Sequence, residues 1–206
     1  MLKTKIAVLI SGGGTNLQAI IDFQKAGGLK SGEVVLVVSD NPDAYGLTRA
    51  ENAGIETKVV LADKSLPVSE RRVKFEEELQ KTLEDAGIEL IILAGFMRIL
   101  NKSFTDKWPE RIINVHPSLI PSFCGEGFYG LKVHEAALAY GVKVTGATVH
   151  FVNEVPDGGR IIFQKAVEIK EGDTPEVLQK RVMEEAEWKL LPAAAEHVSK
   201  IIMGEK

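Results

Sequence analysis

Apolar positions follow two spacings that alternate along this chain from its amino terminus onward. Short runs rich in β-branched residues predict strands, and apolar residues three or four positions apart predict amphipathic helices. The run Leu90–Ala94 is continuously apolar, which is typical of a parallel strand covered on both faces. The predicted strands are Lys5–Ile10, Val34–Val38, Thr57–Leu61, Ile88–Ala94, Ile112–His116, Val144–Val152 and Ile161–Ile169.

Helices are predicted between most of these strands, and some carry their own boundary signals. Gly54 and Gly87 follow two of them as C-terminal caps. The last helix begins at Asp173–Glu176 with a capping residue, a first-turn proline and an acid, and we expect it to kink or restart at Pro192. The predicted helices span about 17–27, Tyr45–Ala53, Ser69–Ala86, Val133–Tyr140 and 173–202.

Strands that alternate with helices indicate an α/β fold with a mostly parallel central sheet and helices on both faces. The turn-rich segment Asn153–Gly159 separates two late strands, which favours antiparallel strands late in the sheet. The 206 residues contain no repeat, low-complexity tract or linker, so we predict a single domain over residues 1–206.

Composition narrows the classes of function. A net charge of −4 argues weakly against a dedicated nucleic-acid binder. With Cys124 as its one cysteine, the chain can form no intrachain disulfide and no cysteine metal cluster. Its first residues lack the apolar segment of a signal peptide, and its longest apolar run is too short to cross a bilayer. We therefore expect a cytoplasmic protein with no membrane partner and no nucleic-acid partner.

The stretch Ile112–Pro121 holds the strongest candidates for chemistry. Asn114 and His116 lie two positions apart on a predicted strand, so their side chains share one face. Ligand sites of open α/β sheets lie at the carboxyl ends of strands. A histidine can exchange a proton near neutral pH, and an asparagine can donate to a developing oxyanion. The alternative is a strand-end histidine that the backbone satisfies.

A glycine-rich loop, Ser11–Asn16, follows the first predicted strand and precedes a helix. The free N–H groups and the dipole of a helix N-terminus favour an anion, and glycines let a phosphate approach closely. The loop lacks the Gly-Lys-Ser/Thr sequence of a P-loop, and Leu17 stands where a dinucleotide fingerprint needs its third glycine. Asp40, at the end of the second strand, keeps a nicotinamide site open as an alternative, and a plain tight turn is another.

Asp157 and Arg98 are weaker candidates. Asp157 lies in a Pro-Asp-Gly-Gly turn, where aspartate is common for local reasons. Alternatively, Asp157 pairs with His116 and raises the imidazolium population at pH 7. Arg98 follows a buried strand and faces either an acidic ligand or solvent.

The remaining histidines and the cysteine suggest little chemistry by sequence alone. His134 and His150 have no His or acidic partner at metal-ligand spacing, so we predict that both are structural and that the protein has no metal site. Cys124 has no activating base near it in sequence, which favours a plain loop thiol.

Nearly the whole chain resembles the folate-dependent formyltransferase family, and within it the phosphoribosylglycinamide formyltransferases. The His-Pro-Ser-Leu sequence and the later aspartate are general to formyl-folate enzymes, whereas the glycine loop and the Met-Arg-Ile-Leu stretch are more specific. The segments that carry the resemblance are Ile10–Ile20, Leu93–Leu100, Asn114–Pro121, Val149–Val152 and Asp157–Gly159.

The resemblance implies a Rossmann-like formyltransferase fold and transfer of a formyl group from 10-formyltetrahydrofolate to glycinamide ribonucleotide, in purine synthesis and without a metal. It assigns ribonucleotide binding to the N-terminal half, and formyl-folate binding and catalysis to the C-terminal half. The implied catalytic residues are Asn114, His116 and Asp157; the substrate-binding residues are Gly14, Thr15, Asn16 and Glu187; the folate-binding residues are Arg72, Met97, Arg98, Ile99, Leu100 and Asn114.

Three features depart from the family pattern. The segment Gly125–Leu131 is longer than in many relatives, Arg160 follows the double glycine where proline is common, and Trp188 replaces a histidine after Glu187. Other formyl-folate enzymes, a hydrolase or a related formyltransferase, remain alternatives, as does a non-catalytic nucleotide-binding module. The expected partners are the two small-molecule substrates, and a homodimer is an assembly that the protein could form.

Overall fold

A computed structural model describes residues 3–204, except the side chains of Val68 and Ser69. Seven strands form one sheet in the order β3-β2-β1-β4-β5-β6-β7. Pairing is parallel from β3 to β5, and β6 pairs antiparallel with both β5 and β7. The predicted fold class is therefore confirmed. The strands are β1 (Thr4–Ile10), β2 (Gly32–Ser39), β3 (Glu56–Val59), β4 (Leu90–Leu93), β5 (Ile112–His116), β6 (Val144–Phe151) and β7 (Ile161–Glu168).

The predicted helices are present, together with one short helix that the pattern did not predict. That helix, α4, has only one turn, and the Asn101 side chain caps it by accepting from the Phe104 N–H. The helices are α1 (Thr15–Lys25), α2 (Tyr45–Asn52), α3 (Val68–Asp85), α4 (Lys102–Thr105), α5 (Leu131–Tyr140), α6 (Pro175–Val182) and α7 (Trp188–Ile202). Residues Met183–Glu187 between α6 and α7 form a single π-helical turn.

The predicted restart at Pro192 is wrong. Helix α7 runs through Pro192, and the irregular turn lies immediately before α7. Proline lacks the N–H that would bond the carbonyl four residues earlier, which belongs to Trp188. The missing hydrogen bond therefore falls at the junction between the π-helical turn and α7.

Both faces of the sheet are buried along its central strands, as the continuously apolar strand predicted. Along β1, Ile6, Val8 and Ile10 pack into the core on one face, whereas Ala7 and Leu9 pack into the core on the other. All five side chains are fully buried. This alternation fixes which side chains of β1 face each layer of the core. The carboxyl end of β1 leads into the Ser11–Asn16 loop.

Three neighbouring parallel strands end at the same edge of the sheet. There β1 leads into the glycine loop, β4 into Gly95–Leu100, and β5 ends at His116. The Ser11 hydroxyl accepts from the Met97 N–H at 2.9 Å, which ties the first two segments together. Within residues 3–204, no helix combines the length and apolar character needed to cross a membrane.

Candidate active site

A cavity of about 810 Å³ opens at this edge of the sheet. Its volume lies within the range of roughly 300–1,000 Å³ that is usual for small-molecule sites. Its walls come from α1, the segment after β4, the end of β5, the loop before α5, the β6–β7 loop and the π-helical turn. Residues from both halves of the chain therefore face one another across it.

Asn114, His116 and Asp157 meet in this cavity, although Asp157 is distant from the other two in sequence. His116 is 4% exposed, and its Nδ1 lies 3.4 Å from Asp157 Oδ2. On the other side of the ring, Nε2–H donates to the Phe123 carbonyl at 2.8 Å. The predicted contact between Asp157 and His116 is present in the structure.

Local backbone geometry aims Asp157 at the histidine. Its φ is +55°, a left-handed conformation that aspartate and asparagine tolerate better than most residues. Gly159 allows the loop to pack against β6, since a Cβ there would lie 1.7 Å from the Phe151 carbonyl oxygen. The Gly125 N–H donates to Asp157 Oδ2 at 2.9 Å. The turn and the functional contact are thus properties of the same residue.

Burial sets the charge of His116 differently from our expectation. It lowers the pKa of His116 below its ordinary value, although the charge of Asp157 and the bond to the Phe123 carbonyl act in the opposite direction. Our prediction that Asp157 would raise the imidazolium population above that of a free histidine is therefore wrong for the unliganded protein, because removing the ring from water outweighs the carboxylate. Burial would also raise the pKa of Asp157, but the contacts with His150, His116 and Gly125 outweigh it and lower that pKa.

His150, which we predicted to be structural, lies within this cluster. It pairs with Asn114 across the β5–β6 register. Its Nδ1–H donates to the Phe151 carbonyl at 2.7 Å, and its Nε2 lies 3.3 Å from Asn114 Nδ2 and 3.5 Å from Asp157 Oδ1. With its proton on Nδ1, His150 accepts from the Asn114 amide at Nε2 and so positions Asn114, with the Asp157 carboxylate beside it. Only the strand pairing, which sequence spacing does not reveal, brings it there.

His134 also lines the cavity, from the first turns of α5. It is fully buried, and neither ring nitrogen has a hydrogen-bond partner within the described part of the chain. Burial and the nearby His116 lower the pKa of His134 to about 4. His134 is therefore a neutral imidazole at physiological pH.

Contacts with helix α2 hold the glycine loop in place. Gly14 has a φ of +69°, and a Cβ there would lie 2.7 Å from the Gly46 Cα in α2. Arg49 donates to the Gly13 carbonyl at 2.8 Å. Around Gly12 and Gly13, by contrast, a Cβ would meet no atom within 4 Å. Gly14 thus shapes the loop, and the two glycines before it leave its outer side open.

The substrate-side residues implied by the resemblance also meet. Asn16 Nδ2 donates to Glu187 Oε2 at 2.8 Å, and Thr15 Oγ1 donates to the Met183 sulfur at 4.0 Å. Glu187 is 6% exposed, and burial raises its pKa to about 7, while the bond from Asn16 acts the other way. The π-helical turn therefore contacts the start of α1, and Glu187 lies within the cavity wall.

The segment from Met97 to Leu100 forms another part of the wall. Met97 and Ile99 are more than half exposed, whereas Leu100 is buried in the core. The Arg98 side chain turns away, because its Nε donates to Asp40 at 2.7 Å and its guanidinium lies over the Phe75 ring. The Asp40 carboxylate therefore pairs with Arg98, and it no longer supports the alternative that Asp40 binds the ribose of a nicotinamide cofactor.

Arg72 is not among the residues that line this cavity. Its Nε lies 3.2 Å from Glu76 Oε1, one turn later in α3. The Asn101 N–H donates to the same oxygen at 2.9 Å. Since Asn101 follows Leu100, Arg72 lies close to the outer end of the Met97–Leu100 wall, and its folate-tail role stays a prediction.

The three departures from the family pattern have defined places. Within the longer loop, Phe128 and Tyr129 add to the cavity wall. Arg160 donates to Glu110 at the surface, at 3.0 Å and 2.8 Å. Trp188 lines a second cavity of about 430 Å³, beside Thr15 and Arg49.

Cys124 and the possible metal ligands were the other reactive groups considered from the sequence. Burial raises the pKa of Cys124, and its thiol donates to the Pro121 carbonyl, which fits a plain loop thiol. Across residues 3–204, no group of three or more His, Cys, Asp or Glu side chains is arranged to hold a metal ion.

Known proteins are similar to this chain in sequence and fold. The family described as "Formyl transferase" matches residues 4–195. The trifunctional purine biosynthetic protein adenosine-3 of Gallus gallus is 49% identical over 197 residues, which cover 96% of this chain. They cover 18% of that relative, so the chain spans about a fifth of its length.

Shorter relatives match over most of their own length. Phosphoribosylglycinamide formyltransferase of Haemophilus influenzae is 39% identical over 188 residues, covering 91% of this chain and 84% of the relative. The crystal structure of glycinamide ribonucleotide transformylase 1 from Symbiobacterium toebii superposes with a TM-score of 0.86 at 42% identity, covering 98% of this chain and 89% of that one. Sequence and fold agree, and this chain belongs to the formyl transferase family.

Proposed function

We propose that this protein transfers the formyl group of 10-formyltetrahydrofolate to the glycyl amine of N1-(5-phospho-D-ribosyl)glycinamide, giving the N-formyl product and tetrahydrofolate. The observation that carries the proposal is the meeting of Asn114, His116 and Asp157 in one cavity, which Asn16 at the end of the glycine loop also lines. Relatives named phosphoribosylglycinamide formyltransferase support the choice of substrate. The reaction belongs to purine synthesis.

The cavity offers different surfaces to the two substrates. The ribonucleotide phosphate would bind at Gly14–Asn16, where the first N–H groups of α1 have no partner within the helix. The exposed Met97 and Ile99 side chains would cover the flat rings of the folate. Because Arg98 is engaged with Asp40, we assign its contribution to the backbone.

The formyl carbon would lie between these surfaces, beside Asn114 and His116. The folate supplies an activated formyl group. Attack by the uncharged amine gives a tetrahedral oxyanion, to which the Asn114 amide and the His116 N–H donate hydrogen bonds. For His116, the oxyanion would replace the Phe123 carbonyl as acceptor. Removal of one such donor typically costs about 2.7–4 kcal/mol of transition-state stabilisation.

Asp157 has an electrostatic role in this scheme. Its carboxylate, 3.4 Å from His116 Nδ1, opposes the effect of burial and stabilises the imidazolium as negative charge develops on the oxyanion. Asp157 also positions a water that passes the proton from the attacking amine to the departing folate nitrogen. His150 accepts from the Asn114 amide at Nε2 and so keeps that donor in place.

The proposal also covers the domain organisation, location and partners of the protein. We propose that residues 1–206 act as one catalytic domain in the cytoplasm, with small-molecule substrates as its partners. Formyl-folate serves as co-substrate, and the residues named above carry the reaction without a metal ion. A homodimer remains a prediction.

A spectrophotometric assay with 10-formyl-5,8-dideazafolate and glycinamide ribonucleotide tests the proposal. We expect release of the deformylated folate only when both substrates are present, and loss of that signal in His116→Ala. Release without the ribonucleotide would indicate a hydrolase instead. Binding of the ribonucleotide without any turnover would favour a non-catalytic nucleotide-binding module. Either result would contradict the proposed transfer.

A further inference from the structure

The buried carboxyl of Glu187 lies against the loop that would hold the substrate phosphate. Its Oε2 accepts from Asn16, the second residue of α1, at 2.8 Å. Glu187 belongs to the π-helical turn, and such turns often occur at functional sites. The second oxygen, Oε1, makes no hydrogen bond with residues 3–204, and Glu187 lines the cavity.

The charged groups of the surrounding elements do not supply Glu187 with a cation. Arg181 is paired with Asp173, and Lys180 faces Glu184. Burial keeps His134 of α5 uncharged at neutral pH. Other titratable groups on the elements packed nearby include Glu185 on the same turn, Glu176 on α6, Glu135 on α5, Asp22 and Lys25 on α1, Lys165 and Glu168 on β7, Lys189, Glu196, His197 and Lys200 on α7, and His116, His150, Asp157, Lys132 and Arg98 around the cavity.

Burial already destabilises the ionised form of Glu187 in the free protein. It raises the pKa of Glu187 to about 7, and within residues 3–204 the bond from Asn16 is the interaction that opposes it. A phosphate monoester carries about −1.5 to −2 charges at pH 7. A like charge placed beside a carboxylate disfavours ionisation further.

We infer that Glu187 meets the phosphorylated substrate as an uncharged carboxylic acid, so that ribonucleotide binding takes up one proton from solvent at Glu187. The new O–H bond forms on Oε1 and donates to an oxygen of the substrate, while Oε2 keeps its bond from Asn16. This inference rests on the proposed function, because it requires a phosphorylated ligand at the glycine loop.

Calorimetric titration with glycinamide ribonucleotide, in buffers of different ionisation enthalpy, measures the proton uptake directly. At about pH 8 a carboxyl with a pKa of about 7 is roughly nine-tenths ionised, so the wild-type protein should take up about 0.9 proton more than Glu187→Gln. Near pH 5.5 the difference should vanish. Protons exchanged by the substrate itself cancel in this comparison. Glu185→Gln, an exposed change in the same turn, should behave as wild type.

The Glu187→Gln protein should also bind the ribonucleotide at pH 8 at least as tightly as wild type, since the amide mimics the neutral acid. Equal proton uptake by the two proteins would overturn the inference while leaving the proposed function intact. A folded Glu187→Gln protein that no longer binds would overturn it too, because the carboxylate would then be the binding form. Failure of wild type to bind the ribonucleotide at any pH would instead contradict the proposed function.

Discussion

Replacement of Asp157 by asparagine separates the charge of this residue from its role in the turn. Asparagine adopts the left-handed conformation that the φ of +55° requires, and its side-chain oxygen can still accept from the Gly125 N–H. The change therefore leaves the loop intact and removes one negative charge beside His116. We expect the catalytic rate to fall strongly while the fold is retained.

The size of the effect follows from the distance to His116. At an effective dielectric constant of about 20, unit charges 3.4 Å apart attract by about 5 kcal/mol. Each 1.36 kcal/mol corresponds to a tenfold change in the ratio of protonated to neutral imidazole. Allowing for solvent and relaxation, the imidazolium population should fall by between about tenfold and a thousandfold. We expect kcat to fall by about a hundredfold or more, within the range of acid–base contributions.

Three measurements test this reasoning together. The dideazafolate assay gives kcat, NMR titration of His116 should show its pKa moving further down, and the melting temperature should change by less than about 3 °C. Glu154→Gln, an exposed change in the same loop, should alter none of them. Near-normal kcat with an unchanged His116 titration would mean that Asp157 serves only the turn.

Three further predictions concern the loop, a buried histidine and the oxyanion donors. Gly14→Ala should lower the melting temperature, because the φ of +69° and the close contact with the Gly46 backbone strain any side chain at this position. Gly13→Ala should leave the melting temperature unchanged but weaken ribonucleotide binding in calorimetry, because a Cβ there meets no protein atom. Folding lowers the pKa of His134 from 6.5 to about 4, so the unfolded chain binds an extra proton between these pH values. The folded state therefore loses stability at His134 as the pH falls from about 6.5 to 4. His134→Leu should remove up to about 3 kcal/mol of that loss, as measured by urea unfolding at low pH. Asn114→Ala, His116→Ala and the double variant should lose similar activity if the two residues act as a unit, and fully additive losses would contradict that.

The apolar pattern determined most of the secondary structure and the α/β class, because two-sided burial of a parallel strand leaves a continuous mark in the sequence. Leu90–Leu93 is the clearest case. The pattern missed the single turn of α4, which depends on one cap at Asn101. It also placed the helix restart at Pro192, because the sequence shows the proline but not the π-helical turn that precedes α7.

The candidate site needed tertiary structure for its partners and its charges. Spacing on one strand placed Asn114 beside His116, but only the antiparallel register brought His150 opposite Asn114. The sequence suggested that Asp157 pairs with His116, and the fold made the contact while burial reversed the expected change in the histidine pKa. Local order along a chain fixes which side chains share a face. Packing between distant segments decides which of them meet, and how much water remains around their charges.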